Sequence, residues 1–362
     1  MSHCTLPSSL IAGKFLGSRD RLIVAGNSPN SNVGIQYVAR DDETGESYFE
    51  NKCELFFPEI CTGLEICGIS RLAKSFVALA NTDQSGNGDS SIALIDVETD
   101  ILEAGMKHSH TLEGGSSSAY SSLSFYSDQE LLAAATDSGS VVLWDLNSGK
   151  EIRRFTADSC GLSKLEFTRS GQLLTCGHST STQLHVWDVR TSLSSSSISS
   201  ASPAELSKSV TVSASRSLLH PEHYAIGQTQ PRQHLYYTSI SSQSIYNKII
   251  CGTSGGSIAV WDFRSEAVSV FQPYSPDASV TAVLAHPWHQ DLLISSSSSG
   301  LIRSSDLLDL SNGISQDFDS PSKSEVIVSE PGEFTSIDCD RDSGMLLAVS
   351  ALGGLWRLQL EK

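Results

Sequence analysis

A strand that ends in Trp-Asp recurs at a fixed place in this chain. Three copies read SGSVVLWD, TQLHVWD and GGSIAVWD, and they end at Asp145, Asp188 and Asp262. In each copy, apolar residues two positions apart predict a β-strand with one buried face. A turn rich in small residues and another short apolar strand precede each copy. The repeating unit is therefore strand, turn, and strand ending in Trp-Asp.

Weaker copies extend the series. The place of the tryptophan is taken by Val38, Ile95, Ser305 and Leu358 in four further segments. Together with the three tryptophans these places lie 43 to 74 residues apart, compared with about 40–45 residues for a WD40 blade without insertions. Seven copies predict an all-β fold, a seven-bladed WD40 β-propeller that forms one domain over residues 1–362.

The longest spacing, after the fourth copy, indicates an insertion. The segment TSLSSSSISSASPAELSKSV follows Arg190 and is too polar to pack a core. We interpret residues 191–232 as a flexible, Ser-rich and loop-like insertion between blades 4 and 5, mobile over Ser192–Ser209. The outer strand of the fourth blade is expected near Lys208–Ala214. A linker between two domains is the alternative, but the blade pattern resumes at once after the insertion.

The end of the chain predicts how the ring closes. Only a few residues follow the last recognisable strand, so the seventh blade lacks an outer strand of its own. The segment near His3–Leu6 precedes the strands expected for the first blade, Leu10–Leu16 and Arg21–Ala25. We expect this N-terminal segment to supply the missing outer strand, because propellers protect their sheet edges by such closure.

Charge and composition exclude several classes of function. The formal net charge is −17 and the 24 Lys and Arg are scattered, whereas a protein that binds phosphates directly needs a concentrated basic face. No apolar run approaches the length of a membrane span, and the N-terminus lacks the pattern of a secretory signal. Eight dispersed cysteines and the absence of an Asn-x-Ser/Thr acceptor favour a reducing, intracellular location with free thiols.

Motifs with catalytic or metal-binding chemistry are weak. The stretch GTSGG around Ser254 matches G-x-S-x-G, but that motif needs a following helix and here a strand follows. Ser254 is therefore predicted to be a hairpin-turn residue. Three histidine pairs have no third ligand at a recognised spacing: His108/His110, His220/His223 and His286/His289. The segment His286–Asp291 is predicted to form a turn in the sixth blade. We predict no catalytic, cofactor or metal site, and a protein that is not an enzyme.

The repeat residues themselves are interpreted as structural. Trp144, Trp187 and Trp261 are expected to pack between blades, and Asp145, Asp188 and Asp262 to lock tight turns. Arg190 and Arg264 differ, because WDVR and WDFR share an arginine that packing does not require. These endings resemble the Trp-Asp-x-Arg motif by which WD-repeat substrate receptors of cullin–RING ubiquitin ligases contact their adaptor. Both arginines are therefore candidate partner-binding residues.

Beyond the repeat, the chain resembles the nucleoporin forty-three family, the small WD-repeat subunit of the Y-shaped scaffold of the nuclear pore. The resemblance is clearest in GKEIRRFTADSCGLSKLEFTRSGQLLTCG, IICGTSGGSIAVWDFR and FTSIDCDRDSGMLLAVSALGG. It implies a non-catalytic scaffold that docks on an α-solenoid nucleoporin, located at the nuclear pore and associated with kinetochores in mitosis. Such scaffolds serve the transport of mRNA and protein. The Ser-rich insertion and Ser305 depart from the family pattern. The alternative is a ubiquitin-ligase substrate receptor that binds an adaptor.

Overall fold

The computed structural model is built from β-strands. It describes residues 2–5, 9–15, 21–27, 33–41, 48–57, 60–69, 74–82, 90–98, 105–112, 118–178, 183–189, 216–219, 235–243, 248–262, 268–289, 291–306, 324–340 and 342–360. Within these ranges the strands form seven four-stranded antiparallel sheets, the same number as the repeats in the sequence. We call each sheet a blade and number the blades along the chain.

In blades 1 to 6 the strands follow one another along the chain, from an inner to an outer strand. Blades 1 to 3 comprise β2 (Ser9–Phe15), β3 (Arg21–Asn27), β4 (Val33–Asp41), β5 (Tyr48–Phe57); β6 (Ile60–Ile69), β7 (Lys74–Thr82), β8 (Ser90–Glu98), β9 (Gly105–Thr111); and β10 (Tyr120–Tyr126), β11 (Leu131–Thr136), β12 (Ser140–Asp145), β13 (Lys150–Thr156). Blades 4 and 5 comprise β14 (Leu162–Phe167), β15 (Gln172–Gly177), β16 (Gln183–Asp188), β17 (Arg216–Leu219); and β18 (Tyr237–Gln243), β19 (Lys248–Thr253), β20 (Ile258–Asp262), β21 (Val268–Phe271). Blade 6 comprises β22 (Val280–Ala285), β23 (Leu292–Ser297), β24 (Leu301–Asp306) and β25 (Ser324–Ser329).

The blades are arranged in a ring. The inner strand of each blade contacts the inner strand of the next, from β2 through β6, β10, β14, β18 and β22 to β26 (Phe334–Asp340), and β26 contacts β2 again. Blade 7 adds β27 (Met345–Ser350), β28 (Gly354–Gln359) and β1 (Ser2–Thr5). The predicted all-β propeller, folded as a single domain, is confirmed.

The tryptophan places occupy equivalent positions in the blades. Each lies on the third strand of its blade and is paired with an apolar residue of the second strand. The seven partners, in blade order, are Leu22, Val77, Leu132, Leu173, Ile249, Leu293 and Leu346. All seven partners are at most 3 % exposed. The repeat in the sequence is therefore a repeat of one register, and its apolar positions form the cores between neighbouring blades.

The ring closes through the N-terminus, as predicted. Strand β1 pairs antiparallel with β28, with Ser2 opposite Arg357 and Thr5 opposite Gly354. β28 would otherwise be an edge strand with unpaired backbone groups. Because the first strand of the chain completes the last blade, the two ends of the propeller are held in one sheet.

The outer strand of blade 4 differs from the prediction. It is Arg216–Leu219, paired with Gln183–Val186 of β16, and not the segment near Lys208–Ala214. Both segments are short and have strand-forming residues, and edge pairing is made by the backbone, so propensity alone does not choose between them. Within the predicted insertion 191–232 only residues 216–219 are described. The mobility of Ser192–Ser209 lies outside the described residues and stays a prediction that limited proteolysis tests.

Helical structure contributes little to the described part of the chain. It consists there of one 3-10 turn, Ser127–Gln129, between β10 and β11. None of the helices in these ranges has the length and apolar character needed to cross a membrane.

Candidate functional site: a pocket beside the ring of inner strands

The tryptophans of the three Trp-Asp strands pack between blades. Trp144 packs in the core between blades 2 and 3, Trp187 between blades 3 and 4, and Trp261 between blades 4 and 5. The indole Nε1 of Trp187 donates a hydrogen bond to Thr175 Oγ1 at 2.8 Å, and that of Trp261 donates to the hydroxyl of Tyr237 at 3.3 Å. The rings of Trp187 and Trp261 are thus buried with a partner for their one polar group.

Asp145 fixes the turn that follows the third strand of blade 3. Its carboxylate accepts the backbone N–H of Asn147 at 3.0 Å and the hydroxyl of Ser148 at 2.8 Å. Asp188 and Asp262 end β16 and β20 at the corresponding points. We call the side of the ring where the third strands end the Trp-Asp face, and the opposite side, where the inner strands begin, the pocket face.

A bulge in every inner strand was not predicted. In all seven blades the pairing of the first two strands slips by one residue, at Ile11, Thr62, Ser121, Ser163, Thr238, Thr281 and Thr335. Six of these seven bulged residues carry a hydroxyl group. In blades 3 to 7 the bulged residue is a Ser or Thr that directly follows the first residue of the inner strand, and in blade 2 it is Thr62, the third residue of β6.

Three of these hydroxyls bind the next blade. Ser163 Oγ donates to the carbonyl of Tyr237 at 2.6 Å, and Thr238 Oγ1 donates to that of Val280 at 2.5 Å. Thr335 Oγ1 donates to the carbonyl of Leu10 at 3.2 Å, across the junction of blades 7 and 1. A bulge leaves a residue outside the ladder, and here the side chain of that residue links two sheets.

Carboxylates on the inner strands make a second set of links. Asp338 accepts the backbone N–H of Phe15 in the next blade at 2.9 Å, and Glu166 accepts that of Ser242 at 2.8 Å. Burial raises the pKa of Glu166. Lys14 Nζ lies 3.7 Å from Glu65 and 4.0 Å from Asp338, and the Glu65 carboxylate is the main reason that the pKa of Lys14 is raised. These contacts join neighbouring blades.

A pocket opens on the pocket face where blades 3, 4 and 5 meet. It has a volume of about 330 Å³ and is lined by Ser121, Asp137, Gly161, Leu162, Ser163, His178, Tyr236 and Thr238. Ser121, Ser163 and Thr238 are the bulged residues of three successive blades. Asp137 and His178 follow the second strands of blades 3 and 4, and both are exposed. One small region thus combines side chains from three sheets.

Backbone bonds hold the rim of this pocket. The N–H of Asp137 donates to the carbonyl of Ala119, and the N–H of His178 donates to the carbonyl of Gly161, both at 2.9 Å. Gly161 has a φ of +112°, and a Cβ there would lie 2.4 Å from the carbonyl oxygen of Asp137. Only glycine permits this approach of two blades. The ring of His178 lies 4.5 Å from that of Tyr236, centroid to centroid.

None of the residues that sequence motifs singled out is on the lining of this pocket, and several lie outside the described ranges. Arg190 and Arg264 lie outside the described residues, so their role in partner binding stays a prediction. Ser254 lies in the turn between the strands β19 and β20, as predicted, and its Oγ accepts the backbone N–H of Tyr236 at 3.2 Å. A catalytic elbow would need a helix after this turn.

The histidine pairs have different surroundings. His286 lies in the turn between β22 and β23, as predicted, and its Nδ1 accepts the backbone N–H groups of Trp288 and His289. Burial lowers the pKa of His286, which favours the neutral ring that this acceptor role requires. His220 and His223 lie outside the described residues. Among the described residues, no group of three or more His, Cys, Asp or Glu could hold a metal ion.

Comparison with known families decides which kind of propeller this is. The sequence model "Nucleolar protein 10-like, N-terminal domain", a β-propeller family, matches residues 122–354, which is more than half of the chain. The chain belongs to this family. The matched range contains seven of the eight residues that line the pocket, and the eighth, Ser121, directly precedes it. The match does not support the more specific nucleoporin assignment.

Further comparisons bear on the fold alone. No curated protein matches the sequence. Among solved structures, a chain in the crystal structure of the mitotic checkpoint complex matches with a TM-score of 0.60 and 13 % sequence identity. The match covers 100 % of this chain and 91 % of that chain. At this identity the similarity shows a shared propeller architecture, and function belongs to individual sites on such folds.

Proposed function

We propose that this chain is a non-catalytic scaffold that binds other proteins through its propeller. The observation that carries the proposal is how the pocket uses its polar groups. Ser163, His178 and Asp137 line one pocket, but the Ser163 hydroxyl donates its proton to the Tyr237 carbonyl instead of to His178. A serine nucleophile needs a hydrogen bond to its base. The arrangement supports recognition by exposed side chains on a rigid frame and offers no nucleophile–base pair.

The assembly that such a scaffold serves is proposed to be nuclear. The family is named for a nucleolar protein, and the sequence resemblance to small WD-repeat nucleoporins also leads to the nucleus. On the basis of the nucleoporin resemblance we propose more specifically a structural subunit of the Y-shaped nuclear-pore complex that docks on an α-solenoid nucleoporin. A nucleolar assembly is the competing assignment, and it is favoured by the family match.

Purification and microscopy separate these assignments. The protein is tagged at its genomic locus, its stoichiometric partners are identified by mass spectrometry, and its position is recorded by fluorescence. Solenoid nucleoporins with staining of the nuclear rim would support the pore assignment, and nucleolar staining with other partners would contradict it. Recovery of the protein without any stoichiometric partner would contradict the scaffold proposal itself.

The ligase-receptor alternative is tested by the double change Arg190→Ala and Arg264→Ala. A charge-assisted contact at an adaptor interface contributes about 2–5 kcal/mol, so loss of both arginines would abolish adaptor binding. We expect the double variant to fold and to keep the location of the wild-type protein. If wild-type protein captures a cullin–RING adaptor and the double variant does not, the receptor function replaces the scaffold proposal.

A further inference from the structure

We infer that the pocket on the pocket face binds an arginine side chain presented by a partner protein. The inference rests on the proposed scaffold function, because the arginine belongs to a protein that the propeller holds. It adds a place on the ring, a ligand chemistry and a set of contact residues.

The polar groups of the pocket mainly accept hydrogen bonds. The single protons of the Ser163 and Thr238 hydroxyls are already donated to the carbonyls of Tyr237 and Val280, so their oxygens can only accept further bonds. Asp137 is exposed, and among the described residues no side chain donates to its carboxylate. A ligand that suits this lining carries several N–H donors and no acceptor, which describes a guanidinium or an ammonium group.

One wall group lacks a partner. Ser121 Oγ is shielded from solvent and has no hydrogen-bond partner among the described residues. A buried hydroxyl without a partner is unfavourable, because it has lost its bonds to water and gained none in exchange. A donor that enters the pocket between Ser121, Ser163 and Thr238 would satisfy this oxygen together with the two acceptor hydroxyls.

The shape of the pocket favours arginine over lysine. The half-buried Tyr236 and the exposed His178 place two aromatic rings at the rim, and Leu162 adds an apolar wall. A guanidinium is planar and weakly hydrated and stacks on aromatic faces, whereas an ammonium group is compact and holds its water more strongly. A cavity of about 330 Å³ has room for one such side chain.

The charge of the whole chain acts in the same direction. With a net charge of −17, the protein attracts basic surfaces of partners over distances longer than a contact. Asp137 then selects the bound position, because it is the carboxylate on the lining of the pocket.

Methyl NMR tests the inference on the intact protein. The protein carries ¹³C-labelled leucine methyl groups and is titrated with N-acetyl-arginine methylamide, with the citrulline analogue as an uncharged probe of the same shape. We expect the Leu162 methyl signals to shift and saturate with the arginine probe and not with the citrulline probe. Asp137→Asn should weaken binding about fivefold, which corresponds to one exposed ion pair.

Asp277→Asn is the matched control. Asp277 is an exposed carboxylate in the segment before β22 on the same face, and it is not part of the pocket lining. This variant removes the same charge and should bind the arginine probe like the wild type. Equal weakening in the two variants, equal binding of citrulline, or no response of Leu162 would each overturn the inference.

Partner purification distinguishes failure of the arginine site from failure of the scaffold proposal. Stoichiometric partners that copurify equally well with wild-type protein and Asp137→Asn would overturn the arginine site and leave the scaffold function standing. Selective loss of a partner from Asp137→Asn, with retention by Asp277→Asn, supports both.

Discussion

The hydroxyl of Thr238 links blades 5 and 6, and its removal measures what such links contribute to stability. The change Thr238→Val keeps the shape of the side chain and deletes its bond to the carbonyl of Val280. Loss of a buried bond that leaves its acceptor unpaired is unfavourable by about 1–2 kcal/mol. In a single domain of 362 residues, 1 kcal/mol corresponds to about 1.3 °C in the unfolding midpoint. We therefore expect the midpoint to fall by about 1.5–2.5 °C.

Thr62→Val is the control for this prediction. Thr62 occupies the same bulge position in blade 2, but its hydroxyl bonds the Ala80 carbonyl of its own blade at 3.4 Å. It should lower the midpoint by less than about 1 °C, since a long bond within one sheet contributes little. Scanning fluorimetry of both variants under one set of conditions provides the comparison. Equal shifts in the two variants would refute the idea that the bulge hydroxyls act between blades.

Three further outcomes are expected. Deletion of residues 1–8 should lower thermal stability and solubility by exposing β28 as an edge strand, and a synthetic peptide of residues 1–8 should restore both. An unchanged unfolding midpoint in the truncated protein would disprove closure by β1. Gly161→Ala should destabilise by about 2 kcal/mol in urea unfolding, because its φ is positive and its Cβ meets the Asp137 backbone, whereas Gly255→Ala, which meets only the tip of a leucine, should be tolerated. Iodoacetamide at pH 8 should label the exposed Cys160 and not Cys176. Burial raises the pKa of the Cys176 thiol to about 12, and the reactive thiolate forms only as the pH approaches that value. Labelling of both cysteines in the native protein, measured by mass spectrometry, would contradict this prediction.

Sequence reasoning succeeded where one pattern repeats. The Trp-Asp strands predict the fold because each copy reports the same register, and agreement among copies compensates for weak members such as Ser305 and Leu358. The closing strand followed from counting, since a ring with one strand missing at one end needs it from the other. The outer strand of blade 4 was misplaced because an edge strand carries little periodic signal, and two short segments compete for one backbone partner.

The candidate site could not be predicted in the same way. Asp137, His178 and Tyr236 come from three blades, and each alone is an ordinary turn residue. Their proximity depends on the angle between neighbouring sheets, which no local pattern encodes. The bulge hydroxyls could have been predicted, because a Ser or Thr directly follows the first residue of the inner strand in five blades. The histidine pairs drew attention through spacing, yet His286 serves its own turn.

The pairing of β1 with β28 also sets an order of events during synthesis. Ser2 and Arg357 are partners in one ladder, so β1 leaves the ribosome long before the strand with which it pairs. At about 5–20 residues per second this delay lasts some tens of seconds. During that time six blades can form from neighbouring segments, while residues 2–5 have no native partner. The propeller is completed only after β28 has left the ribosome, and a chain that stalls before β28 is left open at one blade.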